Sequence, residues 1–242
     1  MKILILIPVW KRPELTRKCI QALLKLKPKG IDLKIFCILS MDDPDFTANL
    51  ETVKTNRVAF MAATNKPLGV KKTFGLAGAI SANRDYDYIM ELGSDDFINP
   101  KLFELYKFPI ANRVQFFGLN NVYMYHVRKD KLIWVKEYAG EDMTFGCGRM
   151  IHKSVIEKIG FDLWDEYNEG LDTMSGKKMR KAGFDEFVID AGEYPYILGV
   201  KTDTHISPFE FVEQICETKE MDLKLLKEFG YENISDNTVQ RG

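Results

Sequence analysis

The chain has 242 residues, with 34 basic against 35 acidic side chains and 45% hydrophobic residues. That length buries a substantial core and fits one large domain or two halves sharing a sheet. The near-neutral balance excludes broad electrostatic attraction to nucleic acid or to an anionic membrane, so no stable nucleic-acid binding is expected. The apolar run Ile3–Ile7 is broken by Pro8 and is too short for a signal-peptide core or a bilayer span; no later run is long enough for a transmembrane segment. Cys19, Cys37, Cys147 and Cys216 stand far apart, with no Cys-x-x-Cys pair. This usage suits a reducing, cytoplasmic setting and argues against a structural zinc site.

Ile3–Ile7 reads as a continuous apolar strand, of the kind buried on both faces of a parallel sheet. Pro13 and Glu14 open a helix whose apolar stripe is Leu15, Cys19, Ala22, Leu23 and Leu26; Pro28 and Gly30 end it. Leu33–Leu39 is a second strand, Ser40–Asp45 a polar turn, Thr47–Asn56 a helix and Arg57–Ala62 a third strand. Asn65–Gly69 is a loop, Val70–Asn83 a helix and Tyr86–Leu92 a fourth strand. This alternation predicts a doubly wound, Rossmann-like α/β sheet, mostly parallel, whose strands open on one edge. That edge gathers residues 8–12, 42–45, 65–72 and 94–96.

The second half changes character. Val114–Gly118, Val122–Arg128 and Leu132–Glu137 are aromatic and β-branched strands; His152–Ile159 and Gly170–Ala182 are helices; Phe187–Asp190 and Tyr196–Lys201 are strands. Pro208–Phe229 reads as one long amphipathic helix before a polar tail. The expected organisation is a single domain: a nucleotide-binding half over 1–97, a mixed acceptor-side half over 98–207, and a C-terminal helix and tail over 208–242.

The sharpest feature is Gly93-Ser94-Asp95-Asp96 at the end of the fourth strand. Adjacent ionised carboxylates repel, and a divalent cation relieves that cost. In open α/β sheets, ligands bind beyond the carboxyl ends of the strands. The same four residues before Asn99-Pro100 also suit a solvated turn. Asp43 suits the imide N–H of uracil, and equally an Asx turn or helix cap. Trp10 suits a base or sugar face, or core packing. Gly69 with Lys71 and Lys72 opens a helix, a place that favours anions. Asp172 stands in a first helical turn, where a carboxylate also complements the macrodipole.

Together these places resemble the family-2 glycosyltransferases, which carry the GT-A fold. The resemblance spans roughly Lys2 to Pro208 and rests on four stretches: Ile5–Pro13, Ser40–Asp43, Gly93–Asp96, and Gly160-Phe161-Asp162 followed by Gly170-Leu171-Asp172. It implies a metal-dependent glycosyltransferase using a nucleotide sugar, most simply a UDP-sugar, with inversion at the anomeric carbon and an acceptor that the sequence does not name. It implies Asp172 as catalytic base, with Glu169 as the neighbouring candidate. It implies nucleotide contacts from Pro8, Trp10, Arg12, Asp43, Gly69, Lys72 and Asp95. Asp96 would ligate Mn²⁺, or Mg²⁺, with the late His205 as a second ligand. Two alternatives stand beside it: a nucleotidyltransferase on the same fold, disfavoured because Pro8–Arg12 has no glycine, and a non-catalytic protein that binds a sugar or protein. The chain departs from the family in lacking its Asn-x-Gly and Ala-Arg-Asn patterns near Gly69.

Overall fold

A computed structural model describes residues 1–136, 143–202 and 209–231. Its first sheet has seven strands. β1 (Lys2–Val9), β2 (Asp32–Ser40), β3 (Ala59–Ala63) and β4 (Tyr88–Glu91) are parallel, in the order β4-β1-β2-β3. The helices between them are α1 (Pro13–Lys25), α2 (Phe46–Thr55) and α3 (Leu68–Ala82). Alternation along β1 explains the layering. Ile5, Ile7 and Val9 pack with Leu15, Cys19 and Leu23 of α1 on one face. Leu4 and Leu6 pack with Leu76 and Ala79 of α3 on the other. The strand is therefore apolar at nearly every position because both of its faces are covered.

Beyond β4 the sheet turns mixed. β5 (Asp96–Ile98) leaves for the second sheet, and the short helices α4 (Leu102–Leu105) and α5 (Lys107–Ala111) lead to β6 (Phe116–Leu119). After β7 (Asn121–His126) and β8 (Lys131–Lys136), β9 (Met150–His152) runs antiparallel to both β4 and β6. Then come α6 (Lys153–Ile159), α7 (Leu171–Lys181), β10 (Phe187–Ile189), which pairs with β6, and β11 (Ile197–Lys201). The second sheet has the order β12 (Glu217–Met221), β8, β7, β11, β5.

The C-terminal segment corrects one expectation. Within the described residues, the stretch read as one helix over 208–229 is three elements: α8 (Phe209–Ile215), β12 (Glu217–Met221) and a 3₁₀ helix over Leu223–Phe229. Edge pairing of Glu217–Met221 with β8 outweighs the helical periodicity. Asp222 then restarts the chain by accepting a hydrogen bond from the Lys224 N–H. No described helix is long and apolar enough to cross a membrane.

Candidate active site

The carboxylate pair lies where β4 hands over to β5. Asp95 and Asp96 are both buried, at 6% and 5% exposure. Asp96 Oδ2 accepts from the Gly93 N–H at 2.5 Å, closing the turn. Asp95 Oδ2 accepts from Lys201 Nζ at 3.0 Å and lies 3.7 Å from Arg12 Nη1. Burial pushes the Asp96 carboxyl up to about 6, and the charge of Asp95 adds to this; Lys201, the Gly93 N–H and Arg12 oppose it. For Lys201, desolvation works against the charge, but Asp95 and Asp96 outweigh it and hold its pKa above the usual lysine value.

Arg12 reaches this pair because the loop after β1 is held in a rare backbone shape. Lys11 and Arg12 both adopt left-handed φ values, 55° and 52°, which cost side-chain-bearing residues free energy. Asp43 fixes the loop. Its Oδ2 accepts from the Lys11 N–H at 2.7 Å and from Asn49 Nδ2 at 3.0 Å, and its Oδ1 accepts from the Asp45 N–H at 2.9 Å. Asp43 is thus an Asx-turn residue that shapes the β1 edge and, through it, the aim of Arg12. Three of the lone pairs on its carboxylate are taken. Trp10 is only partly buried, and Lys11 Nζ sits 5.8 Å from its ring centre.

The start of α3 departs from the sequence expectation. The Gly69 N–H donates to Tyr167 O at 2.9 Å and the Leu68 N–H to Asn168 Oδ1 at 3.1 Å. A Cβ on Gly69 would lie 1.8 Å from the Asp165 carbonyl oxygen. The glycine is needed for close packing against residues 165–168, and these N–H groups are spent within the protein rather than turned toward an anion. Lys72 is likewise placed differently. Its Nζ donates to Glu91 Oε2 at 2.5 Å and lies 4.4 Å from the ring centre of Trp164. Its neighbour Lys71 is buried and donates to Val9 O at 2.8 Å, Ser40 Oγ and Asn65 Oδ1 at 3.2 Å, joining β1, β2 and the loop before α3. Burial pulls the Lys71 amine down to about 7, against the raising effect of Asp43 and Asp42.

Asp172 is in the first turn of α7. Its Oδ2 accepts from the Gly146 N–H at 2.9 Å. A Cβ on Gly146 would lie 2.2 Å from Asp172 Oδ1, so only glycine allows this approach. The fully buried Arg149 secures the turn. Its Nη1 donates to Asp172 O at 3.0 Å and Ser175 Oγ at 2.9 Å; its Nε and Nη2 donate to Thr144 Oγ1 and O at 2.8 and 2.5 Å. Asp172, Glu169, Glu91, Lys72 and Pro8 share a cavity of about 250 Å³ with Gly93 and Cys147. Cys147 links this cavity to the carboxylate pair: its thiol is pushed well up by burial first, and then by Asp96 and Asp172 together.

The structure therefore brings Asp172, Pro8 and Lys72 to one cavity, and Arg12, Asp95 and Asp96 to its edge beside Gly93. Asp43 and Gly69 serve the loops around it. His205 lies outside the described residues. Sequence reasoning missed Glu91, Arg149, Lys201 and Trp164. One signal was available, because Glu91 is a charge set between the apolar run Tyr88–Met90 and Leu92. Nothing in the spacing marks Arg149 or Lys201.

The pair fits a divalent cation in one respect. Even with Arg12 and Lys201 beside it, the negative charge on Asp95 still disfavours ionisation of Asp96. Among the described residues no group of three or more His, Cys, Asp or Glu side chains converges to cage an ion. The donor set is that of an ion held by one or two carboxylates and completed by substrate phosphates and water.

No protein-family model matches the chain, and no curated protein matches it. Solved structures do. S. aureus TarS matches with a TM-score of 0.58 at 13% identity, over 88% of this chain and 38% of TarS. TarS 1–349 in complex with UDP-GlcNAc matches with a TM-score of 0.54 at 14% identity, over 88% of this chain and 64% of that one. The mannosyltransferase PcManGT from Pyrobaculum calidifontis, in complex with GDP-Man and Mn²⁺, matches with a TM-score of 0.56 at 11% identity, over 88% and 59%. The chain thus spans between about two fifths and two thirds of the length of these structures. At such identities the likeness establishes the fold: a GT-A-type α/β architecture with a mostly parallel sheet and a second, mixed sheet.

Proposed function

We propose that this chain is a glycosyltransferase that moves a sugar from a nucleotide-sugar donor, most simply a UDP-sugar, to an acceptor hydroxyl with inversion. The observation that carries the reading is the buried Asp95–Asp96 pair at a strand end, beside Gly93, which lines the cavity that also holds the Asp172 carboxylate. The neighbours' complexes with UDP-GlcNAc and with GDP-Man and Mn²⁺ support it.

Asp96, with Asp95 beside it, would hold Mn²⁺ or Mg²⁺, an ion that would supply Lewis-acid neutralisation of the diphosphate. Arg12 and Lys201 add fixed positive charge at the same edge, where the diphosphate lies. Asp172 accepts the proton of the acceptor hydroxyl as that oxygen attacks the anomeric carbon. The Gly146 N–H occupies one oxygen of Asp172 and leaves Oδ1 for this proton. Asp43 has acceptor capacity left for the imide N–H of uracil, while its main work is to hold the Lys11–Arg12 turn.

A thermal-shift panel of UDP, GDP, CDP and dTDP, each with Mn²⁺ and with a chelator, tests the reading. A ligand present at about 100 times its dissociation constant adds roughly 2.7 kcal/mol of stability. A shift with UDP that needs Mn²⁺ is expected. Absence of any shift with any nucleotide refutes the donor site.

A further inference from the structure

The near-neutral total charge hides a segregation, and from it we infer that the edge of the first sheet remote from Asp95 and Asp96 docks on an anionic lipid bilayer. At this edge β1 and β2 begin, with Lys2 paired to Asp32, and α1, α2 and α3 end. It carries Lys25, Lys27, Lys29, Lys34, Arg57 and Arg84, all exposed. None of these six forms an ion pair among the described residues. The acids nearby are fewer and partly spent. Asp85 pairs with Lys2, and Asp87 Oδ1 lies 3.9 Å from Lys153 Nζ, which leaves Asp32, Glu51 and Glu157. The edge is therefore positive although the whole chain stands at −1. Only Lys25 lies within a helix, so complementing the helix C-termini does not account for the set.

Charge alone would suit any polyanion; the surroundings select the bilayer. The cations sit on separate segments along the edge, at the end of α1, in β2 and after α2 and α3. Such a spread matches a layer of headgroups better than a single bound phosphate. In their midst an apolar groove of about 110 Å³ opens between α1 and β2, walled by Leu24, Leu26, Ile31 and Leu33 beside Lys27. Leu24 is 40% exposed. A phosphate polymer offers nothing apolar to these leucines, whereas lipid does: they reach the acyl boundary while the lysine heads stay among the phosphates. Most of the six are lysines, compact point charges that respond to a diffuse surface potential without needing a bidentate partner. Because β4 runs from this edge toward the carboxylate pair, docking leaves the candidate active site open to solution.

Co-sedimentation with vesicles tests the inference, using equal parts phosphatidylglycerol and phosphatidylcholine against phosphatidylcholine alone, at low and at high salt. Wild type should bind the anionic vesicles at least about tenfold more tightly than the neutral ones, and salt should weaken this binding steeply. Lys27→Glu with Lys29→Glu should lower the partition constant at least about twentyfold, since each lysine near an anionic surface is worth about fivefold. Leu24→Ser should lower it about threefold. All three positions are exposed or partly so, and UDP affinity by calorimetry should stay within about twofold of wild type. The same reversal at Lys224 and Lys227, on the 3₁₀ helix, should leave vesicle binding within about threefold. Equal binding to both vesicle types, unchanged binding in either edge variant, or an equal loss from the Lys224 and Lys227 reversal overturns the docking edge. Binding of inorganic polyphosphate or DNA without vesicle binding overturns it in favour of a soluble polyanion.

Discussion

Arg149 is the residue through which fold and site are joined, and Arg149→Met should show it. The guanidinium makes four hydrogen bonds from a fully buried position: two to Thr144, one to the Asp172 carbonyl and one to Ser175. Methionine fills much of the space and donates nothing. The Thr144 carbonyl would lose the arginine's donation, at about 1–3 kcal/mol if left unpaired, while the Asp172 carbonyl keeps the Ser175 hydroxyl at 3.1 Å. Glu91 would lose the cation 3.9 Å from its Oε1. Removing a buried charge also removes its desolvation cost, which offsets part of the loss, so a net destabilisation of about 3–5 kcal/mol is expected. Urea denaturation with a two-state fit measures it, and Arg149→Lys, which keeps the charge without the planar fork, should fall between. Because Arg149 holds the first turn of α7, the surviving folded Met variant should also lose turnover more than donor affinity. A loss below about 1 kcal/mol would refute the idea that this side chain pins the turn.

Other outcomes follow from the same geometry. Asp172→Asn should lower turnover roughly 10²–10⁴-fold with donor affinity nearly unchanged, since the base acts on the acceptor; steady-state rates and calorimetry together check this, and a wild-type rate would turn attention to Glu169. Asp43→Ala removes three hydrogen bonds, from the Lys11 N–H of the left-handed turn, from Asn49 and from the Asp45 N–H, and should cost about 2–3 kcal/mol in urea denaturation, with Asp43→Asn milder. Lys71 predicts a pH dependence. Its amine is held at about 7 against an ordinary 10.5, so between those values the unfolded chain binds more protons and stability rises with pH. The slope contributed is at most about 1.4 kcal/mol per pH unit. Denaturation curves from pH 7 to 9 should show it in wild type and lose it in Lys71→Gln.

The parallel half was legible because its strands are buried on both faces and its helices carry clean stripes, so β1 to β4 and the helices between them stand where periodicity places them. The mixed half was less so. β5 and β9 have three residues each, too few for a pattern, and are fixed only by their partners β11, β4 and β6. β12 was hidden because Glu217–Met221 alternates weakly and pairs at an edge. In the site, the carboxylates at strand and helix ends announce themselves. The roles of Asp43 and Gly69 do not, since an aspartate after a strand serves a loop or a ligand with the same letters. Arg149 and Lys201 act from positions that only the packing of β9 and β11 defines.

Nucleotide release from the sugar-nucleotide donors, with Mn²⁺ and with a chelator, tests the central claim most directly, because slow transfer to water reports donor activation without a known acceptor. Wild type should release UDP from at least one UDP-hexose only when the metal is present, and Asp96→Ala should abolish this release. Release that is unchanged by chelator or by Asp96→Ala, or no release from any UDP-, GDP- or dTDP-sugar, would contradict it.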